Sequence, residues 1–128
     1  MGRLRFVQPE VVRLPLSDND FIDIKKELTA GEQRLIFTSL VKQMSFGEKA
    51  ILEPRMVGMT KILAYLVAWS FLDSEGRPVP VSESAVNNLD LDSYSEIEQA
   101  IDAHDATVEA ARAERKNVQG TPSASPAT

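Results

Sequence analysis

The chain has 128 residues, no cysteine, one histidine and a formal net charge of -5. This length fits a single domain, and the missing cysteines exclude disulfides, thiolate metal ligands and cysteine catalysis. The charge is uneven: residues 1–61 carry ten basic and eight acidic side chains, whereas residues 62–128 carry four and eleven. The absence of a Lys and Arg cluster argues against nucleic-acid binding, because phosphate neutralisation needs such a cluster.

A β-hairpin is the first structure that the sequence predicts. Residues 11–16 are mostly β-branched or aliphatic, residues 17–20 are a turn signal, and residues 21–26 alternate between apolar and polar side chains. Pro15 has no N–H to donate, so the first strand is predicted to be an edge strand or to be interrupted there. Residues 1–10 are interpreted as an N-terminal extension without the apolar run of a targeting signal.

The first helix is predicted to run from Ala30 to Met44. Thr29 and Glu32 have the spacing of a capping box, in which each side chain binds the backbone N–H of the other residue. Apolar side chains recur through this segment at helical spacing, which is typical of a face that packs on a core. Residues 45–53, which include Gly47, are predicted to form a loop or a short irregular element.

A second helix is predicted from Pro54 to about Ser70, because proline suits the first helical turn. Its apolar side chains surround much of its circumference, as in a helix that is buried or shared with a partner. Gly58 within it indicates a bend or a close contact, since glycine is unfavourable in a helix interior. The apolar run Ile62–Leu72 has 11 residues, whereas a membrane-spanning helix needs about 20, so no membrane association is expected.

Two further helices are predicted in the acidic half. Ser82 can cap a short helix from Glu83 to about Leu89, and residues 93–96 form a second capping box before a helix that reaches about Lys116. That helix carries a seam at steps of 4, 3, 4 and 3 residues, formed by Ile97, Ile101, His104, Val108 and Ala111.

These elements predict one domain of the α+β class, mostly α, with an N-terminal β-hairpin followed by a small bundle of about four helices. The globular domain is expected to span residues 11–116. Residues 117–128 are predicted to be a flexible tail, because Gly120–Thr128 contains only Gly, Thr, Pro, Ser and Ala.

The sequence offers little catalytic chemistry, and neither an enzyme nor a bound metal or cofactor is expected. His104 is the only histidine and is interpreted as a packed side chain, because no neighbouring serine is singled out for a nucleophilic pair. Asp18-Asn19-Asp20 resembles the start of a calcium loop but lacks the later ligands and the glycine. The acidic side chains of the last helix are interpreted either as a solvated face or as a face that steers a basic partner.

The segment Ala64–Ser82 carries a resemblance to a known family. An apolar helix is followed by Trp-Ser, then by Asp-x-x-Gly-x-Pro-Val-Pro, and then by a serine that opens a short helix ending in Leu-Asp. This order, together with Ile24–Thr29 upstream and Ile101–His104 downstream, resembles the tail assembly chaperones of long-tailed (siphovirus-type) bacteriophages. The resemblance covers roughly residues 11–116.

The resemblance implies a protein that binds the tape measure protein, keeps it soluble and promotes polymerisation of tail-tube protein around it. Such proteins act in the cytoplasm of the infected bacterial host, are typically absent from the mature virion, and are expected to self-associate. The alternative is a structural virion component, such as a tail completion or head–tail connector protein. The predicted partner-binding residues combine the apolar helix with the acidic one: Met56, Met59, Ile62, Leu66, Trp69, Glu96 and Asp102.

Overall fold

Three antiparallel strands and four α-helices form the part of the chain that the structure, a computed structural model, describes: residues 4–44 and 54–120. The predicted fold class, mostly α with an N-terminal hairpin, is confirmed. The elements in chain order are β1 (Val11–Pro15), β2 (Phe21–Lys25), α1 (Ala30–Met44), α2 (Pro54–Tyr65), β3 (Leu66–Trp69), α3 (Glu83–Asn87) and α4 (Leu91–Gly120). The predicted loop at residues 45–53 and the last eight residues of the predicted tail lie outside the described residues.

The hairpin of β1 and β2 forms as predicted, and its register places apolar side chains opposite one another. Val12 lies opposite Ile24, and Leu14 lies opposite Ile22. A 3-10 turn joins the strands, and within it Asp18 and Asn19 have φ angles of 57° and 63°. Asp and Asn tolerate this left-handed region better than other non-glycine residues, which explains the polar turn sequence.

Pro15 occupies the outward-facing register of an edge strand, so that part of the prediction is also confirmed. The sheet order is β1-β2-β3, which leaves β1 at one edge. Hydrogen bonds from Lys26 N to Glu10 O (2.9 Å) and from Leu16 N to Asp20 O (2.8 Å) bracket the ladder. Because inward and outward backbone groups alternate in an antiparallel pair, position 15 faces the free edge, where a missing N–H costs no ladder hydrogen bond.

The predicted second helix ends too late, because the chain changes from helix to strand at Leu66. Strand β3 pairs with β2, with Trp69 opposite Ile22 and Leu66 opposite Ile24. The register shifts between Asp23 and Ile24, and this bulge leaves Val67 as the extra, exposed residue. The apolar run that looked like one helix is therefore a helix followed by a strand, and each supplies side chains to the core.

The core lies where the sheet meets α2, α3 and the first half of α4. The elements β2, α2, β3, α3 and α4 contribute the buried side chains Ile22, Ile24, Ile62, Tyr65, Leu66, Trp69, Val86, Ile97 and Ile101. Within residues 4–44 and 54–120, no helix combines the length and the apolar composition needed to cross a membrane.

Two of the three predicted helix caps form as expected. Glu32 Oε1 accepts from Thr29 N at 2.9 Å, and Thr29 Oγ1 accepts from Glu32 N at 3.1 Å. Ser82 Oγ accepts from Ala85 N at 3.0 Å. The capping box predicted at residues 93–96 is wrong. Helix α4 starts earlier, at Leu91, because Asp90 accepts hydrogen bonds from Ser93 N and Oγ at 2.8 and 3.0 Å.

Candidate partner-binding groove

Three acidic side chains of α4, those of Glu96, Asp102 and Asp105, contact other elements of the protein. The Glu96 carboxylate accepts hydrogen bonds from Ser17 N at 2.7 Å and from Ser17 Oγ at 2.9 Å. Glu96 thereby ties the hairpin turn to α4, 79 residues further along the chain. This carboxylate was predicted to contact a partner, but in the fold its oxygens contact the protein's own turn.

Asp102 and Asp105 likewise meet side chains of α2. Lys61 Nζ lies 2.9 Å from Asp102 and 3.1 Å from Asp105, while the Tyr65 hydroxyl donates to Asp105 at 2.6 Å. Partial burial works to raise the pKa of Asp105, but the hydrogen bonds from Tyr65 and Lys61 outweigh it and hold the pKa below its usual value. Burial and the bond to Asp105 raise the pKa of Tyr65.

His104 completes this cluster and has a structural role. Its Nε2 lies 2.8 Å from the backbone carbonyl of Lys26, and because a carbonyl oxygen only accepts, Nε2 carries the proton. The imidazole ring meets the Tyr65 ring edge-on at 5.9 Å. His104 thus joins the end of β2 to α4. Among the described residues, no group of three or more His, Cys, Asp or Glu side chains is placed to hold a metal ion.

Three of the predicted partner-binding residues lie inside the protein. Ile62, Leu66 and Trp69 belong to the core, and the Trp69 indole N–H donates to the carbonyl of Val79 at 2.6 Å. Trp69 also packs on Phe71, with 5.1 Å between ring centroids. The sequence pattern treated all three as part of one helix with an apolar surplus. Because the chain changes from helix to strand at Leu66, these apolar side chains pack in the core and are not left on a helix surface.

Met59, in contrast, lines an open groove. The groove has a volume of about 570 Å³ and is bounded by α1, α2, α3 and the start of α4. Its walls are Ser39, Met59, Thr60, Leu63, Glu83, Val86, Asn87, Leu89, Leu91 and Tyr94. Met56 lies within α2, but its side chain is outside the described part of the chain.

Apolar and polar side chains line the described part of the groove in equal number. Of the ten described residues that line it, five are Met, Leu or Val, and Glu83 is the only charged one among those ten. Leu91 is 63% exposed although it opens a helix at the groove's edge. Leu91 stands between Asp90 and Asp92, and an apolar residue between two acids at a predicted helix start is the signal by which sequence reasoning could have found it.

Helices α2 and α4 lie close together beside the groove. Helix α2 approaches α4 at Gly58, where an added Cβ would overlap the Glu98 carboxylate and lie 3.2 Å from the Tyr94 hydroxyl. The close contact predicted at Gly58 is thus confirmed. Helix α1 packs against α2, with Ser39 Oγ and Thr60 Oγ1 3.1 Å apart, and its Leu35 and Phe37 side chains are exposed.

A second depression, of about 560 Å³, lies beside Trp69 and is more closely tied to the fold. Ser70 Oγ donates to Asp20 at 2.7 Å and accepts from Phe21 N at 2.9 Å. These bonds hold β3 against the hairpin. Asp20, Ser70, Asp90 and Ser93 on this side already have partners within the chain, so the groove at Met59 is the better candidate for a binding site.

The segment that carries the family resemblance proves to be structural in each of its parts. After Trp69 and Ser70, a small turn closes at Gly76 (φ 78°), where Asp73 accepts from the backbone of residues 75 and 77, and Ser82 then caps α3. No family model, no curated protein and no solved structure matches the chain. The motif therefore describes how this region folds, and the groove has to be judged on its own chemistry.

Proposed function

We propose that this protein is an assembly chaperone of long-tailed bacteriophage tails, whose groove holds an apolar helical segment of the tape measure protein. Binding keeps the tape measure protein soluble until tail-tube protein polymerises around it. The site of action is the cytoplasm of the infected bacterial host, and the chaperone is absent from the mature virion.

The observation that carries this proposal is the open apolar groove. Its volume of about 570 Å³ has room for a few large side chains, and its floor combines Met59 with leucine and valine. Methionine adapts to different apolar shapes, which suits a protein that must hold many similar helical segments. A chaperone has to leave such a surface exposed, and Leu91 at 63% exposure meets that requirement.

The resemblance supports the same function from a separate direction. Several positions of the Trp-Ser and Asp-x-x-Gly-x-Pro-Val-Pro order have a structural reason, as the indole bond of Trp69 and the cap of Ser82 illustrate. A shared order of fold-determining residues favours a shared fold. Shared function is the further step that the following experiment tests.

The test is co-expression with the tape measure protein encoded in the same genome. We expect the chain to raise the soluble fraction of the tape measure protein severalfold and to co-purify with it. Leu91→Glu places a charge in the groove and abolishes that effect. Because an acidic residue is favourable in the first turn of a helix, this variant keeps its fold, as a thermal melt can verify.

Leu72→Glu is the matched control. Leu72 is 59% exposed, similar to Leu91, but it lies at the second depression and does not line the groove. Leu72→Glu is expected to retain full solubilising activity. A tape measure protein that stays insoluble with the wild-type chain contradicts the chaperone function, and equal loss in both variants contradicts the groove as its site.

The presence or absence of the protein in mature virions distinguishes the alternative function, a structural virion component, from the chaperone function. Mass spectrometry of purified phage particles is expected to detect no chain in mature virions. Detection at a fixed copy number per particle favours a tail completion or connector protein instead.

A further inference from the structure

The outer edge of β1 is open. The sheet order leaves β1 at the edge of the sheet, and within residues 4–44 and 54–120 no strand other than β2 pairs with it. The backbone groups of Glu10 and Leu16 bond toward β2. Because the two directions alternate along an antiparallel strand, the backbone groups of Val11 and Arg13 point to the open side. Such N–H and C=O groups on an open edge can receive another strand.

The open edge is short and has a defined limit at each end. The backbone N–H of Glu10 donates to the carbonyl two residues earlier, at 2.7 Å, so the chain turns at Pro9 and the strand does not continue there. Pro15, at the other end, has no N–H to donate. The stretch between these two prolines therefore offers two N–H groups and two C=O groups to the open side, one of each at Val11 and at Arg13.

The hydrogen-bonding pattern of this edge fits a second copy of itself, because its donors and acceptors are symmetric about Val12. When a second β1 runs antiparallel beside the first, with the two Val12 residues opposite each other, Val11 of each copy meets Arg13 of the other and each N–H finds a carbonyl. Edge prolines usually keep further strands away, but here they lie outside this stretch and limit pairing to it. A strand of an unrelated protein would need free backbone groups in the same short pattern, which a second copy has by symmetry.

The charged side chains of β1 and its N-terminal neighbour do not oppose this pairing. Arg13 Nε lies 2.8 Å from Asp23, and the guanidinium lies over the Phe21 ring, 3.7 Å from its centroid. The Glu10 carboxylate lies 3.5 Å from Lys26 Nζ. Both charges of the edge are thus compensated within their own copy, and two copies can approach without bringing unpaired like charges together.

The inner face of β1 gains burial from such a pairing. Val12 and Leu14 pack against the core but are only partly buried, whereas Ile24 and Ile22, which lie opposite them on β2, are fully buried. A second β1 on the open side places Val12 of one copy against Val12 of the other, and a cross-strand pair of β-branched side chains stabilises a sheet. The pairing also removes apolar surface at this edge from water.

From these observations we propose that the chain forms a two-fold dimer in which β1 pairs with β1 of a second copy, centred on Val12, to give a six-stranded sheet. Val11 N donates to the Arg13 carbonyl of the other copy and Arg13 N donates to the Val11 carbonyl, which makes four hydrogen bonds in all. A register centred on Arg13 places two arginines opposite each other, and one centred on Val11 needs an acceptor at Pro9, where the chain turns. The interface lies on the sheet and not in the groove, so the dimer goes beyond the proposed function.

Disulfide cross-linking of single-cysteine variants tests this register in the full-length chain, which has no cysteine of its own. The two Val12 residues form a non-hydrogen-bonded pair, in which the Cα atoms are about 4.5 Å apart, within the range of a disulfide. Val12→Cys is therefore expected to form a covalent dimer under mild oxidation. Leu14→Cys alone is expected to stay monomeric, since the two Leu14 residues are about 14 Å apart along the strands.

An equimolar mixture of Glu10→Cys and Leu14→Cys tests the same register without changing Val12. Glu10 of one copy lies opposite Leu14 of the other, so the mixture is expected to give a disulfide between the two variants. Glu10→Cys alone is expected to give none. Peptide mass spectrometry of the cross-linked product identifies the pair.

Sedimentation velocity over a range of protein concentrations tests the hydrogen bonds. Val11→Pro removes an N–H that faces the open edge and leaves the ladder with β2 intact. It is expected to raise the dissociation constant of the dimer by at least about tenfold, because two of the four bonds are lost. Val11→Thr, the matched control, keeps the N–H and the β-branch and is expected to stay within about twofold of the wild type. Thermal melts close to the wild type are expected for both variants.

Three results would overturn the dimer. They are a wild-type chain that stays monomeric at millimolar concentration, a folded Val12→Cys that cross-links no more than Leu14→Cys, and a dissociation constant that is the same in Val11→Pro as in the wild type. Cross-linking of Val11→Cys in preference to Val12→Cys would overturn the register. None of these outcomes affects the tape measure experiment, and a β1 dimer with the expected cross-links stands even if the tape measure protein stays insoluble.

Discussion

The predicted apolar seam runs through both halves of α4, but the two halves have different surroundings. In the first half Ile97 and Ile101 are buried, and three acidic side chains contact Ser17, Lys61 and Tyr65. From residue 109 to 116 every side chain is exposed, and Glu109 pairs only with Arg112 on the same helix, at 2.8 Å. At 1.5 Å per residue the 30-residue helix is about 45 Å long, so it extends beyond the body that covers its first half.

This difference shows what an apolar seam in a sequence does and does not establish. The predicted seam continues through Val108 to Ala111, but only its first two members are fully buried. Periodicity identifies the side of a helix that can pack. What packs there depends on where the sheet and α2 end, and those limits are set by residues far away in the chain.

The largest expected effect is at the buried half of the seam. Ile101→Ala is expected to lower the free energy of unfolding by about 2–5 kcal/mol, because it removes buried methyl groups and leaves a cavity. Val108→Ala, a similar truncation two steps further along the seam, is expected to cost under about 1 kcal/mol, since Val108 is only half-buried. Urea denaturation of both variants measures the difference.

Equal losses in Ile101→Ala and Val108→Ala would break the comparison, because they would mean that the second half of α4 is packed as tightly as the first. A contact with another copy of the chain could cause that result. Repeating the denaturation at several protein concentrations separates the two cases, since only an intermolecular contact makes stability concentration-dependent.

Local signals explain most of what the sequence predicted correctly. The hairpin, the Thr29–Glu32 cap and the Ser82 cap all depend on residues within a few positions of one another, and all three form. Strand β3 was missed because Leu66 to Trp69 has no turn signal before it and its pairing partner is β2, more than 40 residues earlier. Helical periodicity continued through a segment that tertiary pairing turns into a strand.

The candidate site was harder to predict than the fold for the same reason. Of the predicted residues, Met59 lines the groove, whereas Ile62, Leu66 and Trp69 lie in the core. A helix that is apolar all round can face a core on one side and a groove on another, and the sequence does not say which side is which. The acidic residues Glu96 and Asp102 were predicted to face a partner, but their carboxylates contact Ser17 and Lys61 of the same chain.

The cluster at Asp105 gives the next largest effect. Asp105→Asn is expected to lower the free energy of unfolding at neutral pH by about 1–2 kcal/mol, because it removes a charged acceptor from Lys61 and Tyr65. The pKa of Asp105 is lowered in the folded state, so its contribution is present above the unfolded value of about 4 and is lost as the pH falls through the folded value.

Stability measured from neutral to acidic pH should therefore fall less steeply in Asp105→Asn than in the wild type. Asp102→Asn is the control, since Asp102 contacts the same Lys61 but is more exposed, and its loss is expected to stay below about 1 kcal/mol. Parallel pH curves for the wild type and Asp105→Asn would contradict the assigned role of this carboxylate.

A smaller effect is expected at Glu96, which joins α4 to the hairpin turn. Glu96→Gln weakens the two hydrogen bonds to Ser17 by removing the negative charge, and a loss of about 1 kcal/mol is expected. Asp92→Asn is the control on the same helix, because among the described residues the Asp92 carboxylate has no ion pair. Faster amide hydrogen exchange around Ser17 in Glu96→Gln, but not in Asp92→Asn, checks the location of the effect.

The smallest effect on stability is expected from deleting residues 110–128. The side chains at 110–116 are exposed, so the free energy of unfolding should change by no more than about 0.5 kcal/mol. The circular dichroism signal at 222 nm should nevertheless fall, because residues 110–120 are helical. An isolated helix of this length is marginal in water, but here the buried first half supplies the nucleus from which the exposed turns continue.

The exposed second half of α4 should also affect how the full-length chain melts. Turns that depend only on continuation from a nucleus fray from their free end as the temperature rises, before the core unfolds. The helical signal of the full-length chain should therefore decline gradually ahead of the main transition, and the deletion should remove that slope while leaving the transition midpoint in place. A lowered midpoint would mean that the second half of α4 packs against something, and would remove the contrast between the two halves.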